Sequence, residues 1–314
     1  MFKKPIQKYT GKIGEVEIGT GEKAVKLGGE SVLPFYSFDG NTGNTPKIGM
    51  EISDVYPEGW TNTLKELYKD VSNDTVKWAQ FVEKKYSPDF ICLRLVSADP
   101  NGKDSSPEDC AEKVKAVVEA IKTPLLVAGT GNHEKDAKLF EKIAQAAEGH
   151  NVLLMSAVED NYKTVAAAGV LAYNNKVVAE SSVDINLAKQ INILINQLGI
   201  GNENVVDNVG CSAGGYGYEY VISTLDRVKL AALTQNDKTL QIPIISPVSS
   251  ETWKSKESVE PEEEAPEWGN QEDRGISMEV AAAAGVLASG SNAIILRHPK
   301  SVEVMRSFIS ELLG

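Results

Sequence analysis

The sequence predicts a closed α/β barrel of eight strand–helix units, a TIM barrel, with an N-terminal extension. Three observations carry this. Apolar, β-branched runs recur eight times along the 314 residues, at 48–52, 90–96, 124–129, 152–157, 176–181, 205–210, 242–248 and 292–298. Their near-continuous hydrophobicity suits strands covered on both faces, as in a parallel sheet. Helical periods fall between them, and the last one ends the chain. A doubly wound open sheet is the structural alternative.

The helical faces can be read directly. Val114, Val117, Val118 and Ile121 form one apolar stripe; Leu187, Ile191, Leu194, Ile195 and Leu198 form another; Val302, Met305, Ile309 and Leu312 form the last. Gly149, Gly199 and Gly290 come after helical periods, where a C-terminal cap calls for positive φ. Two segments fall outside the repeat. Residues 1–45 read as an extension of short strands and Gly-rich turns, placed to cover the barrel bottom or to grip a partner, ahead of a barrel over 46–314. Residues 249–275 read as a long acidic loop containing Glu257, Glu260, Glu262, Glu263, Glu264 and Glu267. Loops this long are functional or solvated.

Composition narrows the function. With 44 acidic against 32 basic side chains the net charge is −12, which repels phosphate backbones and argues against a nucleic-acid partner. Cys92, Cys110 and Cys211 are the three cysteines, without a CxxC pair or the spacing of an iron-sulfur or zinc site, and they suit a reduced, cytoplasmic chain. The start, MFKKPIQKYT, has no apolar segment behind its lysines and does not read as a signal peptide. The longest apolar stretch, 280–288, is far too short for a membrane span.

In a barrel the chemistry sits where strands end and loops begin. The polar residues there are Asp54, Asp99, Asn101, Asn132, His133, Glu159, Asn161, Ser182, Asp184, Asp207, Asn208, Ser246, Ser249, Arg297 and His298. Amides, carboxylates and hydroxyls in this number suit a large polar ligand, and about half serve equally well as helix caps, Asp99 and Asp184 among them. Gly210-Cys211-Ser212-Ala213-Gly214 matches the GxSxG of a nucleophile elbow, with Asp226, Asp273 and His298 downstream as candidate partners. Eight strand–helix units favour a tight turn there over a hydrolase. Gly19-Thr20-Gly21-Glu22-Lys23-Ala24 is followed by no helix, so it is not a dinucleotide fingerprint. His150 precedes a strand, at the opposite end of the barrel from His133 and His298, so the three histidines make no metal site.

Three stretches resemble a known family. They are Gly28-Gly29-Glu30 with Leu33-Pro34-Phe35; Gly215-Tyr216-Gly217-Tyr218-Glu219-Tyr220; and Arg274-Gly275, the Ala-rich helix and Leu296-Arg297-His298-Pro299. In order and spacing they resemble the small subunit of the corrinoid iron-sulfur protein, the delta subunit of acetyl-CoA decarbonylase/synthase, over essentially the whole chain. The resemblance implies a TIM barrel paired with a larger subunit that carries a four-Cys cluster and the corrinoid (cobalamin) domain. The pair takes a methyl group from a methyltetrahydrofolate methyltransferase and delivers it to acetyl-CoA synthase, with a reductive activator as a further partner. This chain has neither the cluster cysteines nor a DxHxxG corrinoid anchor, since His133 is followed by Glu134-Lys135-Asp136.

The resemblance implies that this subunit supplies position and exclusion of water, with no nucleophile or metal of its own. The expected corrin-facing residues are Asn132, His133, Glu159, Asn161, Asp207, Arg297 and His298, because corrin propionamides both donate and accept hydrogen bonds. The runner-up is a pterin-dependent methyltransferase, whose family holds the pterin with an Asp and an Asn after its third and fourth strands. Gly129 and Ser156 stand in those places here, although Asn132 and Asp207 could fill other pterin positions. Each polar partner lost would cost about 1–3 kcal/mol where a group is left unpaired, so the barrel reads as one no longer built for folate.

Overall fold

The computed structural model describes residues 5–314; the first four residues of the MFKKPIQKYT start lie outside them. After a hairpin of β1 (Glu15–Ile18) and β2 (Val25–Gly28), the chain runs through strand–helix units. They are β3 (Lys47–Ser53) with α1 (Asn62–Tyr68) and α2 (Thr75–Tyr86), β4 (Phe90–Arg94) with α3 (Pro107–Ala120), and β5 (Leu125–Ala128) with α4 (His133–Ala146). Next come β6 (Leu153–Ala157) with α5 (Tyr162–Ala166), β7 (Lys176–Glu180) with α6 (Ile185–Gln197), and β8 (Val205–Asn208) with α7 (Tyr218–Thr234). The last two units are β9 (Ile245–Ser246) with α8 (Val248–Thr252), α9 (Lys256–Val259) and α10 (Gln271–Ser289), and β10 (Ala293–Leu296) with α11 (Pro299–Leu313).

The eight strands β3–β10 are all parallel and pair in the order β8-β7-β6-β5-β4-β3-β10-β9. A parallel bridge between Asp207 and Ile244, with Asp207 N–H donating to the Pro243 carbonyl at 2.8 Å, joins the two ends. The sheet is thus a closed TIM barrel, and each predicted run overlaps one of its strands.

Strand parity builds two cores. Side chains alternate between the barrel axis and the helix layer. Ile91, Leu93, Leu125, Val127, Val177, Val205 and Ile294 pack outward on the helices. Phe90, Cys92, Leu126, Ala128, Leu153, Val178, Val206, Ile245 and Ile295 fill the axis. Gly49 of β3 belongs to the inward set, and a Cβ there would stand 2.2 Å from the Phe90 ring, so the aromatic fills the space that glycine leaves.

The hairpin closes the N-terminal end of the barrel. Val16, Ile18 and Leu27 join the axial core. Gly14 N–H donates to Gln241 O at 2.9 Å and Gly19 N–H to Asn151 O at 2.8 Å, both acceptors lying just before strands. A buried clamp fastens the segment after the hairpin: Lys229 of α7 reaches Glu30 at 2.5 Å, and Asn292 bonds both, each at 2.9 Å.

The acidic stretch after β9 differs from the expected long loop. It holds α8, α9 and a short turn at Pro266–Trp268. The Arg274 guanidinium organises it by donating to the carbonyls of Glu257 (2.5 Å), Glu260 (2.8 Å) and Gly269 (3.2 Å). With Asn270 capping α10, these donors give the stretch the internal bonds that its glutamate-rich composition conceals. Among the described residues no helix is long and apolar enough to cross a membrane.

Candidate functional site

The C-terminal ends of the strands open on a polar mouth. The same parity that fills the axis with Phe90, Val178 and Val206 turns Glu51, Arg94, Glu180, Asn208 and Arg297 inward in the last layer. Glu51, fully buried, is the hub. Its carboxylate accepts from Arg297 Nη2 (2.7 Å), Ser249 Oγ (2.7 Å), Arg94 Nε (3.2 Å) and Arg94 Nη2 (3.3 Å). Burial works to raise the Glu51 pKa, but the Arg297 and Arg94 charges outweigh it and hold the carboxyl below its usual range. The Arg297 guanidinium lies 4.4 Å from the centre of the Trp60 ring, a cation–π contact.

Beside this hub lies a cleft of about 290 Å³, lined by Arg94, Gly129, Met155, Ser156, Glu180 and Asn208, among others. Ser156 Oγ donates to Glu180 Oε2 at 2.5 Å, and Asn208 Oδ1 accepts from Gly210 N–H at 3.0 Å. At the rim, Lys254 and Glu251 pair at 3.1 Å. A Cβ at Gly129 would come within 2.7 Å of the Asp136 carboxylate. That carboxylate accepts from Thr130 N–H and Oγ1 at 2.8 Å and from Gly131 N–H at 2.9 Å, so the glycine leaves room for the turn's own anchor.

The expected corrin-facing residues are distributed unevenly. His133 and Asn161 line the cleft. His133 Nδ1 faces Asp160 at 2.9 Å, and Asn161 ties the loops together by donating to His133 O (3.2 Å) and accepting from Val158 N–H (2.9 Å). Arg297 sits in the layer beneath, held by Glu51. Asn132 caps α4, its Oδ1 accepting from Lys135 N–H at 2.9 Å, and Glu159 takes a hydrogen bond from Gln190 of α6 at 2.6 Å; neither lines the cleft.

Two placements differ from expectation. Asp207 has the outward parity of β8 and points into the helix layer, where Asn192 Nδ2 donates to its Oδ2 at 3.1 Å. Burial pushes its carboxyl up to about 7, against the Asn192 hydrogen bond and the Lys229 charge. His298 is buried away from the mouth surface. Its Nδ1 accepts from Lys300 N–H at 3.0 Å as the cap of α11, so the ring's proton lies on Nε2, which donates to Glu272 at 3.1 Å. The ring stacks on Trp253 at 6.2 Å, and burial lowers its pKa against the pull of Glu272. The sequence reading missed Glu51, Arg94 and Glu180 because it searched past the strands. These charges lie inside the apolar runs, and their inward parity was the available signal.

The GxSxG turn has no elbow chemistry. Ser212 Oγ donates to the Tyr216 carbonyl at 2.5 Å, and His298, its candidate base, is committed to Glu272 and Lys300. The sheet is a closed barrel as well, which favours the expected turn over the hydrolase alternative. Among the described residues no group of three or more His, Cys, Asp or Glu side chains could hold a metal ion.

A family model of the CO dehydrogenase/acetyl-CoA synthase delta subunit matches residues 15–308. The chain belongs to that family. Its relatives include the acetyl-CoA decarbonylase/synthase complex subunit delta of Methanothermobacter thermautotrophicus, 33% identical over 307 residues, covering 97% of this chain and 77% of the relative. The subunit delta of Archaeoglobus fulgidus is 31% identical over 319 residues, covering 98% and 70%. Among solved structures the delta-subunit chain is similar to a dihydropteroate synthase from Xanthomonas albilineans, with TM-score 0.61 at 11% identity over 96% of this chain and 100% of that one. A Coxiella burnetii dihydropteroate synthase gives TM-score 0.55 at 14% identity, over 85% and 92%. At such identities the likeness is one of fold.

Proposed function

We propose that this delta-family chain is the small subunit of a corrinoid methyl carrier, its barrel mouth lying against a cobalamin held by a larger iron-sulfur subunit. The observation that carries the reading is the mouth itself. It is open and polar and offers both donors and acceptors. A corrin ring fringed with amides needs that mixture. The residues present fit such a ring: Arg94, Asn208 and Glu180 line the cleft, and His133 and Asn161 stand at its edge.

When bound, the corrinoid supplies the cobalt that carries the methyl group. This chain's part is to position and to shield. The Glu51–Arg94–Arg297 network fixes the floor of the mouth without needing the ligand, because the Glu51 carboxylate already holds both guanidinium groups. A pre-formed floor excludes water without an ordering cost at each docking. The methyl donor's methyltransferase, acetyl-CoA synthase and a reductive activator are the proposed further partners, in the cytoplasm.

The test is hydrogen exchange on the assembled complex with and without corrinoid. Protection is expected in the loops after β5, β6 and β7. Protection confined to other faces of the barrel would remove the mouth from the corrinoid site.

A further inference from the structure

Three polar groups at the cleft are left with spare bonding capacity. Glu180 receives Ser156 Oγ on Oε2, and its Oε1 has no partner among the described residues. Asn208 is buried, yet it lines the cleft; its Oδ1 is taken by Gly210 N–H, and its Nδ2 donates to nothing described. Arg94, which lines the cleft, commits Nε and Nη2 to Glu51 and leaves Nη1 without a partner among the described residues. One acceptor with a formal charge and two donors therefore converge on a space of about 290 Å³.

Ligand chemistry can be argued from that triplet. A carboxylate would satisfy Arg94 and Asn208 but meet Glu180, and Glu251 at the rim. An ammonium would satisfy Glu180 but meet Arg94. An ester could accept and offer Glu180 nothing. A primary carboxamide carries two N–H donors and a carbonyl with two lone pairs, so it can answer all three groups without a net charge. Covering a donor such as Asn208 Nδ2 without pairing it carries a penalty, which makes the match selective.

We propose that the mouth cleft is a seat for one primary carboxamide arm of the corrin ring, received by Glu180, Asn208 and Arg94. This rests on the corrinoid reading and adds to it a specific group on the ligand and three residues. The neighbouring Ser156 then serves as a positioning residue: its hydroxyl holds Oε2, which aims Oε1 at the cleft.

The test uses the full chain and two corrinoids with the same ring. Dicyanocobinamide carries free primary amides; the heptamethyl ester of cobyrinic acid carries esters in their place. Binding is followed by calorimetry and by the corrin absorbance. Cobinamide is expected to bind about ten- to a hundredfold tighter, the worth of one hydrogen bond to a charged group. Glu180→Gln should bring cobinamide toward the ester's affinity and leave the ester unchanged, whereas Asn208→Asp, which removes a donor that both carbonyls use, should weaken both. The second substitution keeps the acceptor that Gly210 needs, and melting curves establish that both variants fold. If a variant does not fold, the comparison of the two ligands on the natural chain still decides. Equal binding of amide and ester, unaffected by either variant, overturns the carboxamide seat and leaves the corrinoid mouth standing. Binding of neither corrinoid overturns the carboxamide seat, and hydrogen exchange on the assembled complex then decides the mouth. Displacement of cobinamide by equimolar methyltetrahydrofolate, sensitive to Glu180→Gln, reassigns the cleft to the folate ring and overturns the seat as well.

Discussion

Replacing Asp207 by Asn should change how stability depends on pH. The carboxyl is fully buried between β8 and α6, with one hydrogen bond from Asn192 to Oδ2 and no partner for Oδ1. Burial raises its pKa from 3.8 to about 7 in the folded chain. Between those values the unfolded chain has released the proton and the folded chain still holds it. Stability from this group is therefore complete below about pH 4 and falls as pH rises toward 7, levelling above it. The full difference corresponds to about 4 kcal/mol, of which about 2–3 kcal/mol is lost between about pH 5 and pH 8. Asn is nearly isosteric with the protonated acid and cannot ionise. Its oxygen can keep the Asn192 bond, while its NH₂ in place of an unpaired oxygen imposes a cost of about 1–3 kcal/mol that does not vary with pH.

The assay is urea unfolding of the natural chain and of Asp207→Asn at about pH 5 and pH 8, read by circular dichroism. Other titrating groups, His298 among them, are common to both proteins and cancel in the difference. The variant should gain about 2–3 kcal/mol on the natural chain between the two pH values, whatever its offset at either one. A difference that stays constant across that range would show Asp207 ionised throughout, with its charge compensated in the folded barrel, and the argument from burial would fail.

Other changes test the remaining parts. Lys229→Met should cost about 3–5 kcal/mol, because it strands the buried Glu30 carboxylate; limited proteolysis should then cut the N-terminal extension first, and unchanged protease resistance would refute the clamp. Glu51→Gln leaves Arg94 and Arg297 without their shared counter-charge and should lower stability by about 3–5 kcal/mol, measured as a fall in the urea midpoint. Ser212→Ala should preserve folding and complex assembly, and a fluorophosphonate probe should leave Ser212 unlabelled; a stable adduct would restore the hydrolase reading. Anaerobically purified chain should hold no stoichiometric iron, since its three cysteines are scattered and burial raises the thiol pKa of Cys92 and Cys211; an iron-to-protein ratio near that of a cluster would refute this.

The fold was legible because burial on two faces leaves a signature of composition. A strand flanked by helices outside and side chains inside must be apolar through its middle, and most of the eight runs are apolar at nearly every position. The acidic stretch was less legible. Its order depends on Arg274 reaching three carbonyls, and backbone acceptors leave no trace in the sequence. Asn132 shows a different limit: a polar residue one step before a helix is equally a cap and a ligand until the side chain's direction is known, and here it is a cap.

Asp207 and Asn208 show what decides the site. They are adjacent, both polar, and both near the end of the same strand. One faces Asn192 in the helix layer and the other lines the mouth. Parity separates them, and parity was available: Val206 lies in the axial core, so Asn208, two residues on, must face the axis and Asp207 must not. The same count brings Glu51 inward two residues after Gly49, and Arg94 two after Cys92. In a barrel whose axis is packed with apolar side chains, a charge of inward parity can be tolerated only in the terminal layer, where a counter-charge and solvent meet it. Charges of inward parity at the C-terminal end of the apolar runs are therefore stronger pointers to the mouth than the polar residues beyond them, many of which are occupied in starting the next helix.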